Sequence, residues 1–248
     1  MAVLPGGDRV LTWSGGSAAI VRRVSGGGAE CELRSPGANV SLAQAFPGGR
    51  RVVTADAGGS AVIWDVVACE ALHRLSCGHR LTGLAVLPGG GVVATSGHQG
   101  TALWSAASGE RLRMLATTAL RAVDGVAAFP SSDRLLTYNQ HGATVWNTTS
   151  GAPVRSLTGW PLHTENVAVS PGGDVVTTCG SGWATVWDVA SGLVLRDFEE
   201  ASGLPPRESF RGPLLRTSCS VDVAMGSAVE VEGLGEGLSW RQALRLVW

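Results

Sequence analysis

A period of about 41 residues runs through this chain and restricts its fold more than any other feature. Pro5, Pro47, Pro88, Pro130 and Pro171 are spaced 42, 41, 42 and 41 residues apart. Gly-Gly follows four of them, and Ser131-Ser132 follows Pro130. A second ladder, Trp64, Trp104, Trp146 and Trp187, trails the prolines by 16 or 17 residues. A third marker follows each tryptophan: Trp64-Asp65-Val66-Val67-Ala68-Cys69, Trp104-Ser105-Ala106-Ala107-Ser108-Gly109, Trp146-Asn147-Thr148-Thr149-Ser150-Gly151 and Trp187-Asp188-Val189-Ala190-Ser191-Gly192. Three markers in phase define a structural repeat. Worn copies flank it: Gly16–Val21 aligns with Gly59–Trp64, putting Val21 in the Trp place, and Gly226–Glu232 aligns with the same segment. Six repeats result, over about 1–36, 37–77, 78–119, 120–160, 161–202 and 203–248.

Each repeat reads as four short strands. An apolar strand such as Leu84-Ala85-Val86-Leu87 ends at Pro-Gly-Gly, where Pro presets φ and Gly takes backbone angles that other residues resist. The second strand (Val92-Val93-Ala94-Thr95, Val175-Val176-Thr177-Thr178) is β-branched and largely apolar, as an inner strand covered on both faces should be. A Gly-containing hairpin leads to a third strand closed by Trp. After a Ser-Gly turn comes an alternating edge strand, such as Leu112-Arg113-Met114-Leu115 or Val154-Arg155-Ser156-Leu157. Helix signals are nearly absent.

Four strands per repeat of this length, with Trp-Asp closing the third, is the blade pattern of an all-β, β-propeller fold. The chain resembles the WD-repeat family, strongly over residues 40–200 and weakly at both ends. Trp64-Asp65 and Trp187-Asp188 carry the motif that names the family, and Gly78-His79 carries its Gly-His marker. The resemblance implies a core role for Trp64, Trp104, Trp146, Trp187, Asp65, Asp188 and His79. It also implies an Asp in the turn between second and third strands, bonded to the Gly-His histidine. Those turns read Ala57-Gly58-Gly59-Ser60, His98-Gln99-Gly100-Thr101, Gln140-His141-Gly142 and Gly180-Ser181-Gly182, so the network of His, Ser/Thr, Asp and Trp is expected to be absent or rewired. Family members close the ring by pairing an N-terminal strand into the last blade. Here the sequence starts inside a first strand, so the expectation is either a six-bladed ring without interlocked ends or, by preference, a piece of a longer propeller.

Chemistry is scarce in the sequence. All 19 basic residues are Arg, which removes a catalytic, Schiff-base or phosphate-loop Lys. Against 20 acidic residues they leave net charge −1, with no basic excess to neutralise nucleic acid. No G-x-S-x-G, H-E-x-x-H or phosphate-binding loop occurs. The Gly-Gly doublets recur at the repeat period ahead of strands, which makes them turns. No apolar run approaches the ~18–20 residues that span a bilayer. Cys31, Cys69, Cys77, Cys179 and Cys219 form no zinc spacing, and their odd number with no secretory signal ahead predicts free thiols in a reducing compartment, cytoplasmic or nuclear. No catalytic residue, metal or cofactor is expected. The first strands (Val126-Ala127-Ala128-Phe129, Val167-Ala168-Val169) offer almost nothing titratable, so an enzyme or small-ligand site in a central channel is the minor alternative.

In this family the loops leading into each blade share one face, the top, with the hairpins between second and third strands. His79 and His163 fall in such loops, and His98 and His141 in such hairpins. Trp160, in Thr158-Gly159-Trp160-Pro161-Leu162-His163, and Trp183, where two other repeats carry Ser60 and Thr101, stand apart from the core tryptophans. Two readings apply to them: exposed anchors for a partner, or indoles that pack on each other and staple a loop. Arg80 and Arg121 lie on the same face and suit acidic or phosphorylated peptides, or form an ordinary solvated rim. The candidate partner-binding set is therefore Trp160, Trp183, His163, His141, His98, Arg80 and Arg121. The expected function is a non-catalytic scaffold or adaptor holding protein or peptide partners on this face, or the recognition module of a larger multidomain protein.

Overall fold

The computed structural model describes residues 1–37, 39–115, 122–130, 133–158, 164–180 and 183–199. They form an all-β structure of five four-stranded antiparallel sheets. Sheet 1 contains β1 (Ala2–Val3), β2 (Arg9–Thr12), β3 (Ala18–Arg23) and β4 (Ala29–Arg34). Sheet 2 contains β5 (Val40–Ala45), β6 (Arg51–Asp56), β7 (Ser60–Asp65) and β8 (Glu70–Ser76). Sheet 3 is β9 (Leu81–Val86), β10 (Val92–Gly97), β11 (Gly100–Ser105) and β12 (Arg111–Leu115). Sheet 4 is β13 (Gly125–Ala128), β14 (Arg134–Asn139), β15 (Gly142–Asn147) and β16 (Pro153–Leu157). Sheet 5 is β17 (Asn166–Val169), β18 (Val175–Gly180), β19 (Trp183–Asp188) and β20 (Val194–Glu199). Each sheet is a meander whose strands neighbour each other in chain order. The described residues contain no helix, and therefore none long and apolar enough to cross a membrane. The described residues form five sheets where six repeats are expected; the expected sixth repeat, over 203–248, lies outside the described residues.

The Pro-Gly-Gly turns behave as their chemistry requires. Gly7, Gly49, Gly90 and Gly173 take φ of 74°, 66°, 64° and 73°, and each donates its N–H to the carbonyl three residues back: Leu4, Phe46, Leu87 and Ser170. A bulge recurs at one place in every sheet. It separates Val21 from Arg22, Ile63 from Trp64, Leu103 from Trp104, Val145 from Trp146 and Val186 from Trp187, always against the fourth strand. This register corrects the alignment of the first repeat. Arg22 takes the Trp place and Arg23 the Asp place, with Val21 equivalent to Ile63.

The sheets stack in chain order around four apolar layers. Leu4, Leu11, Ala19, Val21 and Leu33 of sheet 1 meet Val40, Val52, Val62 and Trp64 of sheet 2. Phe46, Val53 and Ile63 meet Val86, Val93 and Trp104, and Ala94 and Leu103 meet Leu135 and Trp146. Phe129, Leu136 and Val145 meet Val167, Val176 and Trp187. Each tryptophan thus fills the gap toward the preceding sheet, and all four are buried. Burying an indole against aliphatic neighbours stabilises by several kcal/mol (~3–5 on truncation to Ala). In sheets 2 and 3 the second and third strands are almost wholly buried, whereas the fourth strands are mostly exposed edges.

The expectation of free thiols fails at three positions. Cys31 and Cys69 form a disulfide between sheets 1 and 2, with Cα atoms 5.6 Å apart, and Cys179 is disulfide-bonded as well. Cys77 keeps a free thiol. Proximity across the sheet interface, invisible to sequence spacing, decides the pairing.

Candidate functional site

The meander order puts the hairpins between second and third strands at the same edge of every sheet as the connections between sheets. Backbone bonds tie the two sets together. Val40 N–H donates to the Gly16 carbonyl, Ala57 to Asn39, Cys77 to Gly59, Val123 to Gly97, Asp124 to Tyr138 and Glu165 to Cys179. Thr82 Oγ1 also donates to the Val123 carbonyl. These bonds fix the backbone of the described part of this edge.

Asp56, the last residue of β6, is the strongest device on this edge and escaped the sequence reading. It is fully buried and accepts from Ser35 Oγ (2.6 Å), Gly37 N (3.1 Å) and Ser60 N (3.0 Å). It fastens the loop entering sheet 2 to that sheet's hairpin. An ideal Cβ on Gly37 would come within 2.6 Å of the carboxylate, so the approach needs glycine. Its signal is the acidic residue in a column that sheets 3, 4 and 5 fill with Gly97, Asn139 and Gly180. The repeat pattern does not point to it, because the acidic position that the pattern calls for lies inside the turn and Asp56 is at the strand end before it.

One buried side-chain bond recurs in sheets 2 to 5. The indole Nε1 of Trp64, Trp104, Trp146 and Trp187 donates to Thr54, Thr95, Thr137 and Thr178 Oγ1 at 2.9, 2.9, 2.8 and 2.9 Å. All four threonines are buried. His79 does not join them: its Nδ1 lies 2.7 Å from the Cys77 carbonyl, and its buried Nε2 has no partner among the described residues. Burial raises the free Cys77 thiol above its ordinary pKa and opposes its ionisation.

At the opposite edge, Asp65 and Asp188 organise the turn after the third strand. Asp65 Oδ1 accepts from Val67 N and Ala68 N, and its Oδ2 from Arg50 Nε at 2.8 Å. The Ala68 N–H first, and then Arg50, hold its carboxyl below the ordinary aspartate range. Asp188 Oδ1 accepts from Ser191 N at 2.7 Å and from its hydroxyl, and those bonds lower its pKa too. Ser105 and Asn147 perform the same turn-capping job in sheets 3 and 4. The acidic half of the Trp-Asp pair is therefore a turn cap, distinct from the Trp–Thr bond.

Among the candidate partner-binding residues, Arg80, His98 and His141 are exposed on the hairpin edge. His98 and His141 lie in two-residue turns, Gly97↔Gly100 and Asn139↔Gly142 being the closing pairs. His141 N donates to Asn139 Oδ1, its Nε2 lies 3.2 Å from Gln140 Nε2, and Gln140 N donates to Asp124 Oδ2. Trp183 is half-buried at the start of β19. By register it is equivalent to Ser60, Gly100 and Gly142, one position earlier than a match with Thr101 supposes. Trp160, His163 and Arg121 lie outside the described residues, so the pairing of Trp160 with Trp183 does too.

The first strands neighbour each other from sheet to sheet: β1 with β5, β5 with β9, β9 with β13 and β13 with β17. None carries a titratable side chain. Gln44 Oε1 accepts from Val86 N at 2.9 Å and joins two of these strands. Burial and then Asp124 raise the pKa of Tyr138, which packs its hydroxyl on Gly125. No group of three His, Cys, Asp or Glu among the described residues is placed to hold a metal ion. The chain matches no protein-family model and no curated protein.

Proposed function

We propose that this chain is a divergent WD-repeat β-propeller acting as a non-catalytic interaction scaffold, which receives peptides or folded domains on the edge formed by the hairpins and inter-sheet connections. The observation that carries this reading is a rim with a hydrogen-bonded backbone and outward-facing polar side chains, above first strands without a titratable group. The recurring Trp–Thr bond and the stacking of sheets in chain order support the propeller as the frame. Specificity then resides in the rim: Arg80 supplies a bidentate donor for carboxylate or phosphate, and His98 and His141 supply aromatic faces with polar edges. The strands hold these groups in place and do no chemistry.

A peptide-display selection against the purified chain tests the reading. Enriched peptides should lose binding about tenfold or more, which is roughly 1.4 kcal/mol, with Arg80→Ala, His98→Ala or His141→Ala. The unfolding temperature should stay unchanged in each variant. Failure to enrich any peptide, or binders indifferent to all three substitutions, would sink it.

A further inference from the structure

The third-to-fourth-strand turn places the equivalent residue in left-handed backbone in every described sheet: Gly27, Cys69, Gly109, Gly151 and Gly192, with φ of 65°, 57°, 73°, 76° and 74°, and sheet 1 adds Gly26 at 89°. Four repeats meet this requirement with glycine, which adopts such angles freely. Sheet 2 alone uses a residue with a Cβ. The same turn residue rests on the fourth strand of the preceding sheet. A Cβ on Gly109 would meet His73, one on Gly151 would meet Arg113, and one on Gly192 would meet Arg155, each within 2.6–2.8 Å. His73, Arg113 and Arg155 pair with Ile63, Leu103 and Val145, and Cys31 pairs with the equivalent Val21. Cys31 and Cys69 are thus the sheet 1–sheet 2 version of a contact repeated at every described interface. Both of its positions have departed from the pattern together, and the departure makes the contact covalent.

We propose that Cys31–Cys69 is a thiol-responsive staple coupling the hold of sheet 1 on sheet 2 to the surrounding dithiol–disulfide balance. Access is asymmetric: Cys31 is 4% exposed, whereas Cys69 lies at the surface. A thiolate of the glutathione type attacks Cys69 Sγ, forms a mixed disulfide there and expels Cys31 as a thiolate, which takes a proton. A second such thiolate attacks the mixed disulfide, releases the oxidised low-molecular-weight disulfide and leaves Cys69 reduced. The reverse sequence, driven by that disulfide, closes the staple. Once open, the turn keeps a left-handed non-glycine residue and loses the bond that compensated for it.

The test compares the full chain with Cys69→Gly, in buffers of oxidised and of reduced glutathione. In oxidised buffer the native chain should unfold at a higher temperature than Cys69→Gly. In reduced buffer the order should reverse, with Cys69→Gly higher by about 2–4 °C. The disulfide of Cys179 is present in both proteins and cancels in the comparison. Non-reduced tryptic digestion should show Val24–Arg34 joined to Val52–Arg74 in the oxidised sample and separate in the reduced one. Absence of the joined peptide under oxidising conditions would overturn the proposal. So would a Cys69→Gly variant that is the less stable protein in both buffers.

Discussion

In sheet 3 the indole of Trp104 donates to buried Thr95, whereas in sheet 1 the equivalent slot holds half-buried Arg22, and Thr12 bonds the Ile20 carbonyl across its hairpin at 3.2 Å. The two sheets nevertheless share strand order, bulge position and left-handed turn residue. Sheet 1 also buries Leu4, Leu11, Val21 and Leu33 completely or nearly so. The difference separates two tasks that the repeat motif merges. Turn chemistry and alternation set the backbone of each unit, and the tryptophan joins that unit to the one before it. Sheet 1 borrows Trp64 from sheet 2 to cover its core, and Arg22 sits on the side away from that interface. Losing the signature residue therefore leaves the sheet itself intact.

The largest test of this division pairs Trp104→Ala with Arg22→Ala. Truncating Trp104 opens a cavity between sheets 2 and 3 and should cost about 3–5 kcal/mol in urea unfolding. Arg22→Ala should cost less than about 1 kcal/mol, as expected away from a buried core. Equal losses would break the comparison. A smaller effect sharpens it: Thr95→Val leaves the Trp104 N–H buried without its acceptor and should cost about 1–3 kcal/mol. Thr12→Val removes only a bond made beside solvent, so its loss should stay below about 1 kcal/mol. If the two valine variants match, the Trp–Thr bond contributes nothing specific.

The smallest effect concerns sheets 2 and 3 at their turns, where Asp65 and Ser105 do the same capping. Because the folded pKa of Asp65 is depressed, its contribution is complete above the ordinary aspartate value of about 3.9 and is lost as pH falls through the lower folded value. The unfolding temperatures of the native chain and Asp65→Asn should differ near neutrality and converge in acid. A gap that stays constant with pH would mean the negative charge is irrelevant to the turn. Ser105→Ala should show no such pH dependence, since its hydroxyl does not titrate over that range.

Much of this was legible in the one-dimensional pattern. The Pro-Gly-Gly ladder located the turns between first and second strands, and the Trp ladder located the buried ends of the third strands. The β-branched runs marked the strands that are covered on both faces. The candidate site was legible only as a set of positions on one edge: His98 and His141 were placed in hairpins by the repeat phase, and Arg80 in a connection. Asp56 is not legible in the pattern because its partners, Ser35 and Gly37, straddle the boundary between the first two repeats, so its importance comes from contacts 19–21 residues away. The match of Trp183 with Ser60 agrees with the strand register, whereas the match with Thr101 is one residue out: Trp183 closes on Gly180 as Gly100 closes on Gly97.

The sequence by itself determined the period, the four-strand unit and its turns. Those depend on local backbone preferences and on alternation of side chains, which neighbouring residues encode. Tertiary structure alone decided which residues meet across sheets: Arg51, whose guanidinium donates to the Gly90 and Ala106 carbonyls and stacks on Phe46, and Cys31, bonded to Cys69. Such contacts join residues 38 to 55 positions apart, or on the two sides of one turn, at distances fixed by how the sheets stack. Side-chain chemistry then determines whether the meeting becomes packing, a hydrogen bond or a disulfide.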